Sequence, residues 1–277
     1  MRPLSEQTIL ITGATDGLGR HLVRELAARG ARVIAHGRSA DKLRDLRDET
    51  RANCGAEVES VRADLSDLHQ VERLARETRQ RYDRIDVLVN NAGVGTGSDP
   101  TVRRESVDGI ELRLAVNYVA GYHLTRRLLP LLRSPARIVN VASAGQQEIS
   151  FSDLQCRRQY SGASAYMRSK LAQVMFTLDL AEELRGSGIT VNALHPATFM
   201  DTSMVRQSGR TPASSVADGA AATLRLICGE EVEGVTGRFF NGTEESEPHP
   251  QAYKRNARAR LRELTDELIA DALSREA

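Results

Sequence analysis

The stretch that most narrows the possible folds lies near the start of the chain, where TILIT (8–12) runs through GATDGLG (13–19) into HLVRELAARG (21–30). The first part is short, β-branched and apolar, the pattern of a buried strand. The last part places Leu22, Val23, Leu26 and Ala27 at helical spacing and stops at Gly30. A strand that enters a helix through a glycine-rich turn makes a cradle for a dinucleotide. Gly13 permits the tight turn, Gly17 lets the backbone approach a pyrophosphate, and Gly19 lets the helix pack closely on the strand. The helix N-terminus would then turn its free amides and its dipole toward the phosphates.

The rest of the chain repeats this rhythm. Strands are expected at 31–37, about Glu57–Arg62, Ile85–Val89, Arg137–Val141, Ile189–Leu194 and, last and short, Arg238–Phe240. Helices are expected between them: one capped by Ser39 and carrying Leu43 and Leu46, one capped by Ser66 and running to about Tyr82, one from about Val107 to Leu132 broken near Pro130, then 162–186 and 212–228. The acidic stretch 243–250 reads as an exposed loop. A charged helix follows at 251–274, with an apolar stripe at Leu261, Leu264, Leu268 and Ile269. Such alternation predicts an α/β fold of Rossmann type: a doubly wound parallel sheet with helices on both faces. No linker, repeat or composition shift divides the 277 residues, so one domain is expected. Residues 8–195 would be its dinucleotide-binding core, and 196–277 the substrate cover and C-terminal helix.

Composition excludes several function classes. The net charge is +1, which gives no general electrostatic reason to bind nucleic acid or an acidic membrane. Cys54, Cys156 and Cys228 are scattered and odd in number, which argues against a disulfide framework or a zinc ribbon and for a reducing cytoplasm. No apolar run reaches membrane-spanning length, so no membrane anchor is expected. No His, Asp or Glu cluster has metal-ligand spacing, so no metal is expected.

Tyr166 and Lys170 stand four residues apart in the 162–186 helix and so share a face. A tyrosine exchanges protons near neutral pH only if its phenolate is stabilised, and an ammonium one turn away does that. Only three of the 38 basic residues are lysines (Lys42, Lys170 and Lys254), so the use of Lys here reads as a chemical choice: its compact charge suits a proton relay better than a guanidinium. Ser143 follows the fifth strand, where its hydroxyl can hold a substrate oxygen beside the phenol. Asn117 sits inside a helix, where Asn is locally unfavourable, so a specific role is expected. His195 reads as a structural neighbour of the following loop.

These residues carry a family resemblance. Gly13-x-x-x-Gly17-x-Gly19, Asp64 in ADLS, Asn90-Asn91-Ala92-Gly93, Asn117, Ser143, Tyr166-x-x-x-Lys170 and His195-Pro196 follow in the order of the short-chain dehydrogenase/reductase family, over nearly the whole chain. DGIELRLAVNYVAGYHLT, FSDL and LRELTDELI resemble its retinol dehydrogenase-like and WW-domain-oxidoreductase-like branch. One departure is Ala197, where the family commonly has Gly after the Pro. The resemblance implies a catalytic set of Asn117, Ser143, Tyr166 and Lys170, with Asn117 holding a water linked to the lysine. It implies cofactor contacts from Gly13, Thr15, Asp16, Gly17, Leu18, Gly19, Arg38, Asp64, Leu65, Asn91, Ala92, Gly93, Tyr166, Lys170, Pro196 and Thr198, with Asp64 accepting from the adenine amino group. Thr198 and Thr202 are alternatives for the nicotinamide carboxamide.

The expected activity is an alcohol dehydrogenase or carbonyl reductase. The alternative is a non-catalytic protein that binds or senses the same cofactor. The second strand ends in AHGR, with Arg38 where NAD-preferring relatives carry an acid, so NADP(H) is expected over NAD(H). Asp16 is a negative charge where some NADP enzymes carry a base. Residues 144–165 and 197–215 are expected to cover the site with Phe151, Leu154, Tyr160, Phe199, Met200 and Met204, favouring a medium-sized apolar alcohol or carbonyl substrate. A homodimer or tetramer is expected through the stripes of the 107–132 and 162–186 helices.

Overall fold

The computed structural model describes residues 1–275. Its centre is one eight-stranded sheet in the order β3-β2-β1-β4-β5-β6-β7-β8. The strands are β1 Thr8–Ile11, β2 Arg32–Gly37, β3 Glu59–Arg62, β4 Ile85–Asn90, β5 Leu132–Val141, β6 Ile189–His195, β7 Phe239–Asn241 and β8 Glu244–Ser246. The first seven are parallel and β8 is antiparallel. The chain order reverses between β1 and β4, so the glycine turn after β1 and the Asn90–Gly93 segment after β4 flank the switch point.

Helices α1 Gly17–Ala28, α2 Ala40–Cys54 and α3 Leu68–Arg81 follow the first three strands. The next helical stretch is composite: α4 Leu112–Leu114, a π-helical turn Ala115–Val119, α5 Ala120–Leu128 and a 3₁₀ turn Leu129–Leu131 containing Pro130. Then come α6 Gly162–Glu183, α7 Ser203–Gln207, α8 Val216–Cys228 and α9 Arg255–Ser274. Two apolar layers result. Leu22, Leu26, Leu46 and Ile227 pack with Ile9, Val33 and Val87 on one face, and Leu74, Leu124, Leu171 and Leu180 with Leu10, Ile34 and Leu88 on the other. The doubly wound α/β fold expected from the alternation is present.

Three local expectations need correction. The stretch after Gly242 pairs with β7 instead of forming a loop. As an edge strand it has no neighbour on one side, so its glutamates stay hydrated and it shows no apolar alternation. Asp67, not Ser66, caps α3, accepting from the Gln70 N–H at 3.1 Å. Ser66 instead gives its N–H and hydroxyl to Asp64. Residues 107–111 are not helical, because Glu111 caps α4 through the N–H groups of Arg113 and Leu114 at 2.8 Å.

α9 lies across the helices to which association had been assigned. Thr265 bonds Tyr118, Asp266 bonds Tyr122, and Arg258 and Arg262 pair with Asp179 and Glu182 of α6. Of the expected stripe, Leu261 and Ile269 are buried and Leu264 and Leu268 half-buried. No helix among the described residues is long and apolar enough to cross a membrane.

Candidate active site

Every residue of the site hangs from a strand's carboxyl end or from the helix beside it. The turn after β1 takes the shape its sequence demands: Gly13 has φ +65°. Its N–H donates to His36 Nδ1 at 3.3 Å. Gly19 packs so closely that a Cβ there would lie 2.2 Å from the Gly13 carbonyl oxygen and 2.7 Å from Asn91 Nδ2. That amide donates to the Thr12 and Gly13 carbonyls, tying the β4 loop to the glycine turn. Asp16 caps α1, accepting from the Gly17 N–H at 2.8 Å. The amides of Leu18 and Gly19 have no partner among the described residues, which leaves a helix N-terminus open to an anion.

At the adenosine side, Arg38 is exposed and pairs with no carboxylate among the described residues. Arg62 stands next to it, its Nε donating to the Arg38 carbonyl at 3.1 Å. Asp64 turns one carboxylate oxygen to Ser66, and Leu65 is buried beside it.

The reactive groups lie past β5 and on α6. Ser143 is buried and accepts from the Gly145 N–H at 3.1 Å. Burial pushes the Tyr166 phenol above its ordinary range, and the neighbouring Ser143 hydroxyl offsets part of that. Lys170 Nζ lies 5.9 Å from the Tyr166 ring centre. It donates to the Val141 carbonyl at 2.8 Å and to Gln173 Oε1 at 3.2 Å, and burial lowers its pKa to about 7. Asn117 occupies the π-helical turn, a distortion frequent at functional sites. It accepts from the Val94 N–H at 2.7 Å and donates to the Val94 carbonyl and to Ser169. A Cβ on Gly93 would lie 3.3 Å from Asn117 Oδ1 and 3.7 Å from Lys170 Nζ, so Gly93 sits over both. Ser143, Tyr166, Lys170 and Asn117 thus gather around the end of β4.

The 197–215 segment reaches the glycine turn. Ser203 bonds Asp16, Thr202 Cγ2 would lie 2.8 Å from a Cβ on Gly17, and the Met204 side chain rests against Gly93 and Gly95. Thr198 Oγ1 lies 3.2 Å from His195 Nε2. Pro196 packs toward Gly219 with Met200. Not every expected cover residue faces the site. Phe151 and Leu154 pack on the sheet core, and Phe199 is 40% exposed under Arg210. Tyr160 is half-buried in a polar cluster: its hydroxyl donates to Glu111 at 3.0 Å and accepts from Arg113 at 2.5 Å. Arg113 also holds the Gly95 and Thr96 carbonyls, four residues before Asn117 holds Val94.

His36 escapes a sequence reading because it sits in an apolar strand and looks like filler. It is buried, with Nδ1 accepting from Gly13 and Nε2 facing the Ala63 carbonyl at 3.1 Å, so its partners set it neutral with the proton on Nε2. Burial lowers its pKa from 6.5 to about 4. The folded protein therefore binds fewer protons than the unfolded chain between those values. The stability this neutral state contributes is complete above pH 6.5 and falls as pH drops toward 4, by up to about 3 kcal/mol. Urea midpoints of the wild type should fall more steeply from pH 7 to 4.5 than those of His36→Gln. Parallel slopes would remove this role.

The short chain dehydrogenase family model matches residues 7–213. The chain is a short-chain dehydrogenase. Retinol dehydrogenase 13 of Mus musculus is 34% identical to it over 97% of this chain and 85% of that protein. Retinol dehydrogenase 14 of Homo sapiens is 35% identical over 95% and 86%. Among solved structures, an uncharacterized protein from Mycobacterium paratuberculosis superposes with a TM-score of 0.77 at 30% identity, covering 96% of this chain and 94% of that one. RhlG of Pseudomonas aeruginosa in an NADP active-site complex gives 0.70 at 29% identity, covering 87% and 97%. This short-chain dehydrogenase is an oxidoreductase of the retinol dehydrogenase-like kind.

Proposed function

We propose that the chain interconverts an alcohol and a carbonyl compound by hydride transfer with NADP(H), with Tyr166 as general acid and base. The observation that carries this reading is the gathering of Tyr166, Ser143 and Lys170 beside Gly93. The glycine turn fits a nicotinamide dinucleotide: the free amides of Leu18 and Gly19 suit its pyrophosphate, and Arg38 with Arg62 suits a 2′-phosphate. The bound nicotinamide would supply or accept the hydride. Ser143 Oγ would hold the substrate oxygen, Tyr166 Oη would give it a proton on reduction and take one on oxidation, and the Lys170 ammonium would lower the cost of the phenolate. Met204 and the retinol dehydrogenase relatives favour a medium-sized, largely apolar substrate.

A panel of apolar and charged carbonyls and alcohols, assayed with NADPH and NADH, tests this reading. Wild type should prefer NADPH and apolar substrates. Arg38→Ala should lower kcat/KM for NADPH by about tenfold, the loss of one charge-assisted hydrogen bond, and change NADH less than about twofold. Equal or better efficiency of wild type with NADH would refute the preference. Tight NADPH binding without turnover across the panel would favour the sensing alternative.

A further inference from the structure

Lys170 is buried, and one of the groups bonded to it is a side chain with no other evident task. Gln173, three residues along α6, is itself buried. Its Oε1 accepts from Lys170 Nζ at 3.2 Å, and its Nε2 donates to the Asn90 carbonyl at 3.4 Å. The carboxamide thus spans from the ammonium to the end of β4. A closed polar circuit keeps it there. The Gln173 carbonyl accepts from Thr177 Oγ1 at 2.9 Å, Thr177 Oγ1 accepts from Asn140 Nδ2 at 2.8 Å, and Asn140 Oδ1 accepts from Asn90 Nδ2 at 2.8 Å. All four residues are buried, so bulk water does not compete for these groups.

We propose that Gln173 is the positioning residue for Lys170, holding the ammonium beneath Gly93 and keeping it charged. The ammonium has three N–H groups. Val141 and Gln173 take two, and the third has no partner among the described residues. The two acceptors therefore aim the remaining proton as well as solvate the charge. The titratable groups that face Lys170 are Tyr166 on its own helix and His195 at the end of β6. β5 presents the Val141 carbonyl, and the π-helical turn presents the Asn117 carboxamide near it. No carboxylate faces it, so Gln173 supplies the only side-chain oxygen bonded to the ammonium among the described residues. A hydrogen bond made to the charged form favours that form, and its loss inside a dry site has a defined sign.

The proposal rests on the oxidoreductase reading for its kinetic consequence, but its first test does not. The chain has three lysines, and Lys42 and Lys254 are exposed. Protein labelled with ¹³C at lysine Cε therefore gives three resolvable signals, and the one missing in Lys170→Arg is assigned to Lys170. Titrated without cofactor, Gln173→Met should move the Lys170 midpoint down by about one pH unit, and Gln173→Glu should move it up by at least as much. In alcohol oxidation, the midpoint that Lys170 contributes to the pH profile should shift in the same direction in each variant, with KM for substrate within about twofold. Gln173→Glu keeps an acceptor on a chain of the same length, so it decides the matter if Gln173→Met fails to fold. A Lys170 midpoint that moves by less than about 0.3 unit in the folded variants overturns the proposal. Absence of turnover in wild type overturns the oxidoreductase reading instead, and leaves the titration to decide on Gln173.

Discussion

Replacing Tyr166 by Phe should lower turnover at least about a thousandfold and change the Kd for NADPH by less than about threefold. Only the hydroxyl is lost. The ring stays on α6 and Lys170 keeps both its acceptors, so the cofactor cradle is untouched. Ser143 retains the Gly145 N–H. The chain contains no Trp, so binding is best followed by the fluorescence of NADPH itself. The wild type should also show opposite pH trends in the two directions. Burial keeps the phenol protonated, which suits reduction at neutral pH, and reduction should weaken as pH rises through its pKa. Oxidation needs the phenolate and should strengthen over the same interval. Activity of Tyr166→Phe within a few-fold of wild type would end the proposed mechanism.

Gly19→Ala should disable the cofactor cradle with a single methyl group. The new Cβ would meet the Gly13 carbonyl oxygen at 2.2 Å and the Asn91 carboxamide at 2.7 Å. The first is backbone and the second is fixed by two hydrogen bonds, so neither can give way cheaply. Relief requires α1 to lift from β1, which separates the very amides that would hold a pyrophosphate. Affinity for NADPH should fall at least about a hundredfold, and the thermal midpoint by at least about 5 °C. If Gly19→Ala binds NADPH as well as the wild type does, close packing at Gly19 is not what shapes the cradle.

Much of the architecture was legible because it is written in short-range patterns. Alternating buried strands and amphipathic helices identify the doubly wound sheet, and each of β1 to β7 falls within a few residues of its expected place. Local signals also placed Gly13, Gly19, Ser143, Tyr166 and Lys170 at strand ends or on α6. What stayed hidden depends on tertiary partners. Gln173 touches Asn90 across 83 positions of sequence, and nothing near it marks that contact. His36 has the neighbours of an ordinary strand residue until the glycine turn folds over it. The π-helical turn at Asn117 keeps a helical apolar pattern, so periodicity cannot distinguish it. Ser66 and Asp67 are both good caps one residue apart, and only the Asp64 side chain decides between them. Tyr160 reads as pocket lining, but a buried Glu111–Arg113 pair claims its hydroxyl.

The rest of α7 on the glycine turn has a kinetic meaning. Ser203 grips Asp16, Thr202 abuts Gly17 and Met204 covers Gly95, so one short helix closes over the same backbone that would clasp a dinucleotide. Entry and exit of that molecule then become the same event as the opening of the cover. A cover of that kind would slow the release of whatever it clasps. Ser203→Ala removes the hydroxyl that holds Asp16 and should therefore let NADPH leave faster in stopped flow; an unchanged release rate would show that this contact does not retain it.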